Sequence, residues 1–173
     1  DTNVRVNSAK AWFLAARPKT LTGAAVPVMI GIACAVALHG AEVRWVPAVL
    51  CMLFALIMQI DANFVNDYFD SMRFALLLTT AVACVVGLPL ILYGGWEMIL
   101  VGLACVVFCF LYTISLSYMG LGDVLVLVFF GLVPVSMTYW LVAPASPLFS
   151  IPLTVIGLSL ACGLVIDTLL VVN

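Results

Sequence analysis

Charge is what this sequence has least of. Only 8% of its 173 residues are Asp, Glu, Lys or Arg, against roughly a quarter in a soluble domain. A chain so poor in charge cannot cover a water-facing surface, so its solvent must be lipid. The net charge of −2 says little about partners, and no nucleic-acid partner is expected. Histidine is nearly absent as well: the single His39 lies at the far end of the first apolar run and is assigned no role. No cleavage pattern follows that run, which at residues 21–38 is too long for the core of a cleavable signal peptide. No internal repeat relates the first half of the chain to the second, although inverted repeats are common in transporters.

What is present is apolar. Hydrophobic residues make up 66% of the chain, and the mean hydropathy is +1.33. A helical crossing of the bilayer needs about 20 apolar residues. Six such stretches follow one another, at 21–38, 45–68, 74–93, 96–115, 124–142 and 148–173, after a short amphipathic stretch around 9–16. The expected fold is therefore all-α, a single polytopic transmembrane helical bundle occupying residues 1–173. Cys34, Cys51, Cys84, Cys105, Cys109 and Cys162 all fall inside apolar runs, where thiols act as small packing residues rather than as disulfides or metal ligands. Trp45, Trp96 and Trp140 stand near span ends, where aromatic belts form.

Lys and Arg near span ends set orientation. Arg5, Lys10, Arg17, Lys19 and Arg73 fall on one side of the membrane and Arg44 alone on the other, which predicts a cytoplasmic N-terminus. The segments 63–73 and 112–123 and the end of the chain at Asn173 then share that side. The polar second span meets the third after about three residues, and the sequence stops inside an apolar run at Asn173. Flexible loops and C-terminal helices beyond this sequence are therefore expected.

The informative polar segment is Gln59-Ile-Asp61-Ala-Asn63-Phe-Val-Asn66-Asp67-Tyr-Phe-Asp70. At about 100° per residue, Gln59, Asn63, Asn66, Asp67 and Asp70 fall within one stripe of a helix, and Asp61 points elsewhere. Two carboxylates and three amides at the end of an apolar span are costly near lipid, so they must face the bundle interior or a wet cavity. Asp67 and Asp70, three residues apart, can reach one ion, and hard oxygen donors suit Mg²⁺. The plainer alternative is a solvated helix end. Asp61 alone reads as structural.

Two further clusters lie on the same expected side. Arg17-Pro18-Lys19 precedes the first span; its cations could hold an anionic group, or serve only to fix topology, and Pro18 suits a helix start. Tyr112-Thr-Ile-Ser-Leu-Ser-Tyr118-Met-Gly-Leu-Gly-Asp123 precedes the fifth span. Its tyrosines suit an interfacial belt, and Asp123 suits an N-cap. On the opposite side, Glu97 reads as a helix-start acid.

Together, in this order, Arg17-Pro18-Lys19-Thr20-Leu21-Thr22, Asn63-x-x-Asn66-Asp67-Tyr68-x-Asp70 and Tyr118-x-Gly-x-Gly-Asp123 resemble the UbiA-type intramembrane aromatic prenyltransferases. The likeness is strongest to their menaquinone branch, which acts on 1,4-dihydroxy-2-naphthoate, and extends over residues 11–173. The resemblance implies nine transmembrane helices in a full-length member, and two Asp-rich motifs that bind a polyprenyl diphosphate through Mg²⁺. It implies Asp67, Asp70 and Asn63 as metal ligands, and a catalytic role for Asp67, Asp70 and Tyr112. Arg17, Lys19, Asn63, Asn66, Tyr118, Asp123 and Asn173 are implied as substrate contacts, with the second Asp-rich motif beginning near Asn173. The chain departs from the family in two places. Phe74 stands where a further Asp is expected after Asp70, and Leu116 replaces the Lys of a Tyr-x-x-x-Lys pattern that begins at Tyr112, which argues against the 4-hydroxybenzoate branch.

The implied reaction is transfer of a polyprenyl chain to the naphthoate with loss of its carboxylate, giving a demethylmenaquinol in the cell (inner) membrane. The alternatives are prenylation of another acceptor such as 4-hydroxybenzoate, an ion-coupled secondary transporter using 63–70 as its ion site, and a non-catalytic scaffold. A cluster at a helix end disfavours the transporter, whose sites lie near the midplane on broken helices.

Overall fold

In the computed structural model of the chain, residues 8–66, 73–114, 122–145, 147 and 150–172 are described. Among them the structure is helical, with no strand. Ser8 caps a short first helix, α1 (Ala9–Ala15), its Oγ accepting from the Ala11 N–H at 3.2 Å. A 3₁₀ turn, Pro18–Thr20, leads into α2 (Leu21–His39). There follow α3 (Trp45–Asn66), α4 (Arg73–Ile114), α5 (Gly122–Leu127), α6 (Val133–Val142) and α7 (Leu153–Val172).

Four stretches are long and apolar enough to cross a membrane, Ala9–Glu42, Trp45–Phe64, Phe74–Cys105 and Gly122–Val142, and Leu153–Leu169 is a shorter apolar helix. The third and fourth expected spans are joined in α4. As one straight rod, its 42 residues would measure about 63 Å, twice the hydrocarbon thickness. Gly95 (φ 66°, ψ −157°) breaks the rod into 73–94 and 96–114, in a conformation that a side chain would resist.

Large side chains that face outward, such as Met29, Leu77, Leu92, Trp96 and Leu153, are what a lipid solvent permits. The inward faces meet through small residues, as expected where no hydrophobic effect drives helices together. A Cβ on Gly131 would come within 2.7 Å of the Gly163 Cα on α7. The principal cluster joins Ala35 of α2 to Val135, Tyr139 and Val142 of α6 and to Val155, Cys162 and Ile166 of α7. A second joins Val28, Cys51, Leu90, Trp140 and Leu141. Trp140 is therefore a core residue, 4% exposed, whereas Trp45 and Trp96 are 59% and 69% exposed at the ends of their spans. The expectation of a belt position fails for Trp140 because its end of α6 is enclosed by α2, α3 and α4.

Between α5 and α6 the helix loosens into a π-helical turn, Val128–Leu132, and Pro134 explains it. A proline has no N–H to offer the carbonyl four residues back, and its ring collides with that carbonyl; here that group belongs to Phe130. The extra residue of the π turn makes room for the ring. In lipid the freed carbonyl needs a partner from a neighbour, and the Cys162 thiol of α7 is directed at it, with Sγ 3.7 Å from the oxygen.

Arg44 closes the end of the bundle where α2 gives way to α3. Its backbone N–H donates to Val142 O at 2.7 Å. Its guanidinium donates to Ala143 O at 2.9 Å and Trp140 O at 3.5 Å, and lies 5.8 Å from the Tyr93 ring centroid. A cation on the last carbonyls of α6 satisfies orphan acceptors and opposes the negative end of the helix dipole. Beside it, His39 Nε2 and the Tyr139 hydroxyl are hydrogen-bonded at 3.0 Å.

Two substitutions check this packing. Gly131→Ala is expected to destabilise the folded protein by about 1–3 kcal/mol through forced separation of two backbones, read as a lower unfolding temperature in detergent. Gly102→Ala, which meets open space, should not lower it. Arg44→Leu should cost about 1.5–3 kcal/mol, the scale of a charged hydrogen bond, and equal stability of wild type and variant would show that the closure is idle.

Candidate functional site

The turn before α2 is built around a left-handed residue. Arg17 has φ 46° and ψ 68°, the only positive φ outside glycine among the described residues, a conformation that costs a β-carbon-bearing residue about 1–2 kcal/mol. Local hydrogen bonds hold it. Arg17 N donates to Leu14 O at 3.2 Å, and Thr20 N donates to Arg17 O at 2.9 Å. The Thr20 hydroxyl donates to the same Arg17 carbonyl at 2.9 Å, and the Thr22 hydroxyl donates to Lys19 O at 3.0 Å. Arg17 and Lys19 themselves stay exposed. Pro18 is at the first position of the 3₁₀ turn, where its missing N–H costs nothing.

The end of α3 grips this turn. Asn63 is 4% exposed, and its Nδ2 donates to Ala16 O at 2.8 Å and to Thr20 Oγ1 at 2.9 Å. Since a carbonyl can only accept, Ala16 fixes which end of the amide is the nitrogen. Asn63 Oδ1 accepts from Gln59 Nε2, one helical turn back, at 3.5 Å. Around this polar link Ala15, Phe64 and Ala75 form a third core cluster with Trp12, Ile60 and Leu76 packed on it. The Trp12 and Phe74 rings lie 5.9 Å apart. The residues before α2, the end of α3 and the start of α4 thus form one packed unit.

Asp61 faces away from that link, as its place on the helix predicts. The Thr79 hydroxyl of α4 lies 2.5 Å from Asp61 Oδ1, and the Thr80 hydroxyl lies 3.1 Å from both carboxyl oxygens. Asp61 and the two threonines pin α3 to α4 within the polar segment.

Of the site residues named from the sequence, Arg17, Lys19 and Asn63 are brought together. Asn66 ends α3. Asp67, Asp70, Tyr118 and Asn173 lie outside the described residues, and for Tyr112 only a helical backbone near the end of α4 is described. Asp123 is exposed and sits inside the first turn of α5, where an acid complements the helix dipole, rather than as the cap before it. Because α6 ends at the Arg44 closure, Asp123 occupies the other end of that continuous helix, the end of the Arg17 turn. In α7, Val155 packs with Val142, and Gly163 meets Leu127. Thus α7 runs antiparallel to α5–α6 and finishes at that same end. Among the described residues no cluster of three His, Cys, Asp or Glu side chains could hold a metal.

Sequence reasoning missed the partners: Thr20 and the Ala16 carbonyl for Asn63, and Thr79 and Thr80 for Asp61. The adjacent threonines were a usable signal, because a carboxyl within a span demands donors from a neighbour.

Fold and site define the class: a polytopic helical membrane protein in which a cationic turn is bonded to the polar end of a spanning helix. The particular relatives then follow. Over 151 residues the chain is 34% identical to the 1,4-dihydroxy-2-naphthoate octaprenyltransferase of Mycobacterium leprae, a match covering 72% of this chain and 51% of that protein. It is 31% identical to the protein of the same name from Mycobacterium tuberculosis (75% and 53% covered), and 27% identical to that of Escherichia coli (99% and 65% covered). The chain is homologous to these prenyltransferases, the UbiA-type class that its motifs resemble. It spans about half the length of the first two curated relatives it matches. No family model matches it, and no solved structure does.

Removing both hydroxyls that face Asp61, as Thr79→Val with Thr80→Val, is expected to destabilise the protein by about 1–3 kcal/mol by leaving a carboxyl of the span without its donors. Adding Asp61→Leu should recover most of that loss in thermal unfolding. A triple variant as unstable as the double would show that the pairing is incidental.

Proposed function

We propose that the protein transfers a polyprenyl chain from its diphosphate to 1,4-dihydroxy-2-naphthoate in menaquinone biosynthesis, at the cytoplasmic face of the cell membrane. The observation that carries this reading is the bonding of the Arg17–Thr20 turn to the end of α3, in a chain homologous to proteins named for that reaction. It joins two of the three motifs, a cationic one and one that continues into carboxylates at Asp67 and Asp70.

The chemistry asks for these residue types. Breaking the bond between the prenyl C1 and the diphosphate oxygen leaves an allylic cation and a highly charged anion. Asp67 and Asp70 would hold Mg²⁺, whose charge, when bound, offsets that of the departing diphosphate. Asn63, the third metal ligand expected from the sequence, spends its amide nitrogen on the turn. Arg17 and Lys19 add fixed positive charge from the turn, and Asn66 would offer a donor to the phosphate oxygens. Tyr112 would act as the third catalytic residue, with Tyr118 and Asp123 as substrate contacts. The ring carbon bearing the carboxylate attacks C1, a carbon–carbon bond forms, and carbon dioxide leaves with its bonding electrons returned to the ring. Apolar helices around the cation exclude the water that would otherwise trap it. The isoprenoid tail lies in the lipid the helices already face.

The test is a prenyl-transfer assay on the purified full-length protein with Mg²⁺, a polyprenyl diphosphate, and either 1,4-dihydroxy-2-naphthoate or 4-hydroxybenzoate. The expected result is a Mg²⁺-dependent demethylmenaquinol with the naphthoate alone. Asp67→Asn and Asp70→Asn should each reduce kcat/KM by at least about a hundredfold. Product from the hydroxybenzoate alone would move the acceptor assignment, and full activity in both variants would sink the site.

A further inference from the structure

We propose that Asn63 is a positioning residue, a clasp that sets the cationic turn against the acidic end of α3, and not a ligand of the metal. The inference rests on the reading of the site just given and adds how its two halves are kept in register. Both Nδ2 hydrogens of Asn63 are spent within the protein, one on Ala16 O at 2.8 Å and one on Thr20 Oγ1 at 2.9 Å. The side chain is 4% exposed, and its Oδ1 faces Gln59 Nε2 on its own helix. A metal ligand needs a free oxygen turned toward the ion; here the amide oxygen faces Gln59, one turn back along its own helix.

From Asn63 the chain of hydrogen bonds runs on. The Thr20 hydroxyl that accepts from Asn63 donates in turn to Arg17 O, the carbonyl of the left-handed residue. A hydroxyl that both accepts and donates in one line transmits orientation, because moving either partner breaks both bonds. The Ala16 carbonyl anchors the other side of Arg17. Asn63 therefore brackets Arg17 from both neighbouring peptides, and in the sequence Asp67 follows four residues after it. The arrangement fixes where the turn that carries Arg17 and Lys19 stands relative to the end of α3, which governs how well an anion is bound rather than how the metal is.

The experiment uses full-length protein and the variants Asn63→Ala, Thr20→Val, Thr20→Ser and the double Asn63→Ala/Thr20→Val. Two readouts are taken: steady-state kinetics with a polyprenyl diphosphate, Mg²⁺ and 1,4-dihydroxy-2-naphthoate, and hydrogen–deuterium exchange of the peptide covering residues 12–22. Asn63→Ala and Thr20→Val should each raise KM for the diphosphate by about tenfold, the effect of one well-placed hydrogen bond. The Mg²⁺ concentration for half-activation and the KM for the naphthoate should stay unchanged. The double variant should be no worse than either single one, as expected of residues in one network, and Thr20→Ser should behave as wild type. Exchange at residues 16–20 should accelerate by about tenfold in both single variants, a result read without any activity. A raised Mg²⁺ requirement in Asn63→Ala would make it a ligand and overturn the proposal. So would additive kinetic losses, or unchanged exchange in both variants. If the wild type transfers no prenyl group, the functional reading fails on its own, while the exchange arm still decides whether the clasp exists.

Discussion

In a bilayer a polar side chain has no water to fall back on, and that constraint organises this molecule. Several of the polar groups placed among the spans are spent on a different element. Asn63 of α3 holds the turn before α2, and Asp61, two residues earlier, is bonded to hydroxyls of α4. Arg44 takes the last carbonyls of α6, His39 of α2 meets Tyr139 of α6, and the thiol of Cys162 covers the carbonyl freed by Pro134. Apolar contact between helices in lipid is only weakly selective, since a lipid tail is as good a neighbour as a leucine. These few polar links choose which helices adjoin and in which register.

The links also divide the molecule into two ends with different duties. The hydrogen bonds of Arg44 close the end of α6. Around Asn63, the bonds hold a strained turn with two exposed cations beside the last turn of a helix. Strain of this kind persists only where surrounding contacts over-determine it. The hydroxyl of Thr20, the carbonyl of Ala16 and the carboxamide of Asn63 do so for Arg17.

Much of this could be read before the structure was known, and the reasons are physical. Long apolar stretches separated by brief breaks leave little alternative to a helical bundle, so α2, α3 and the Gly122–Val142 helix fall where hydropathy puts them. The helical stripe separated Asp61 from Asn63 correctly because a fixed angle per residue decides faces without reference to neighbours. Partners were not legible, because they come from residues about 20 to 100 positions away. Trp140 was misplaced for the same reason: its distance from a span end is local, but its burial is set by α2, α3 and α4.

The π turn has a consequence for how this protein can change over time. One residue in excess of the regular helix turns everything before Val128 through about 100° relative to everything after Leu132. The two halves of a single crossing are thereby decoupled in phase. The later half presents Val135, Tyr139 and Val142 to α2 and α7, and the earlier half carries Asp123 at its tip. Substitutions within the turn leave that phase intact, but loss of one residue would swing Asp123 to another face while the hydropathy of the span barely altered. The compass bearing of an exposed acid is thus kept by a backbone irregularity and a proline further along the same crossing, so lineages should diverge here by replacement and not by deletion.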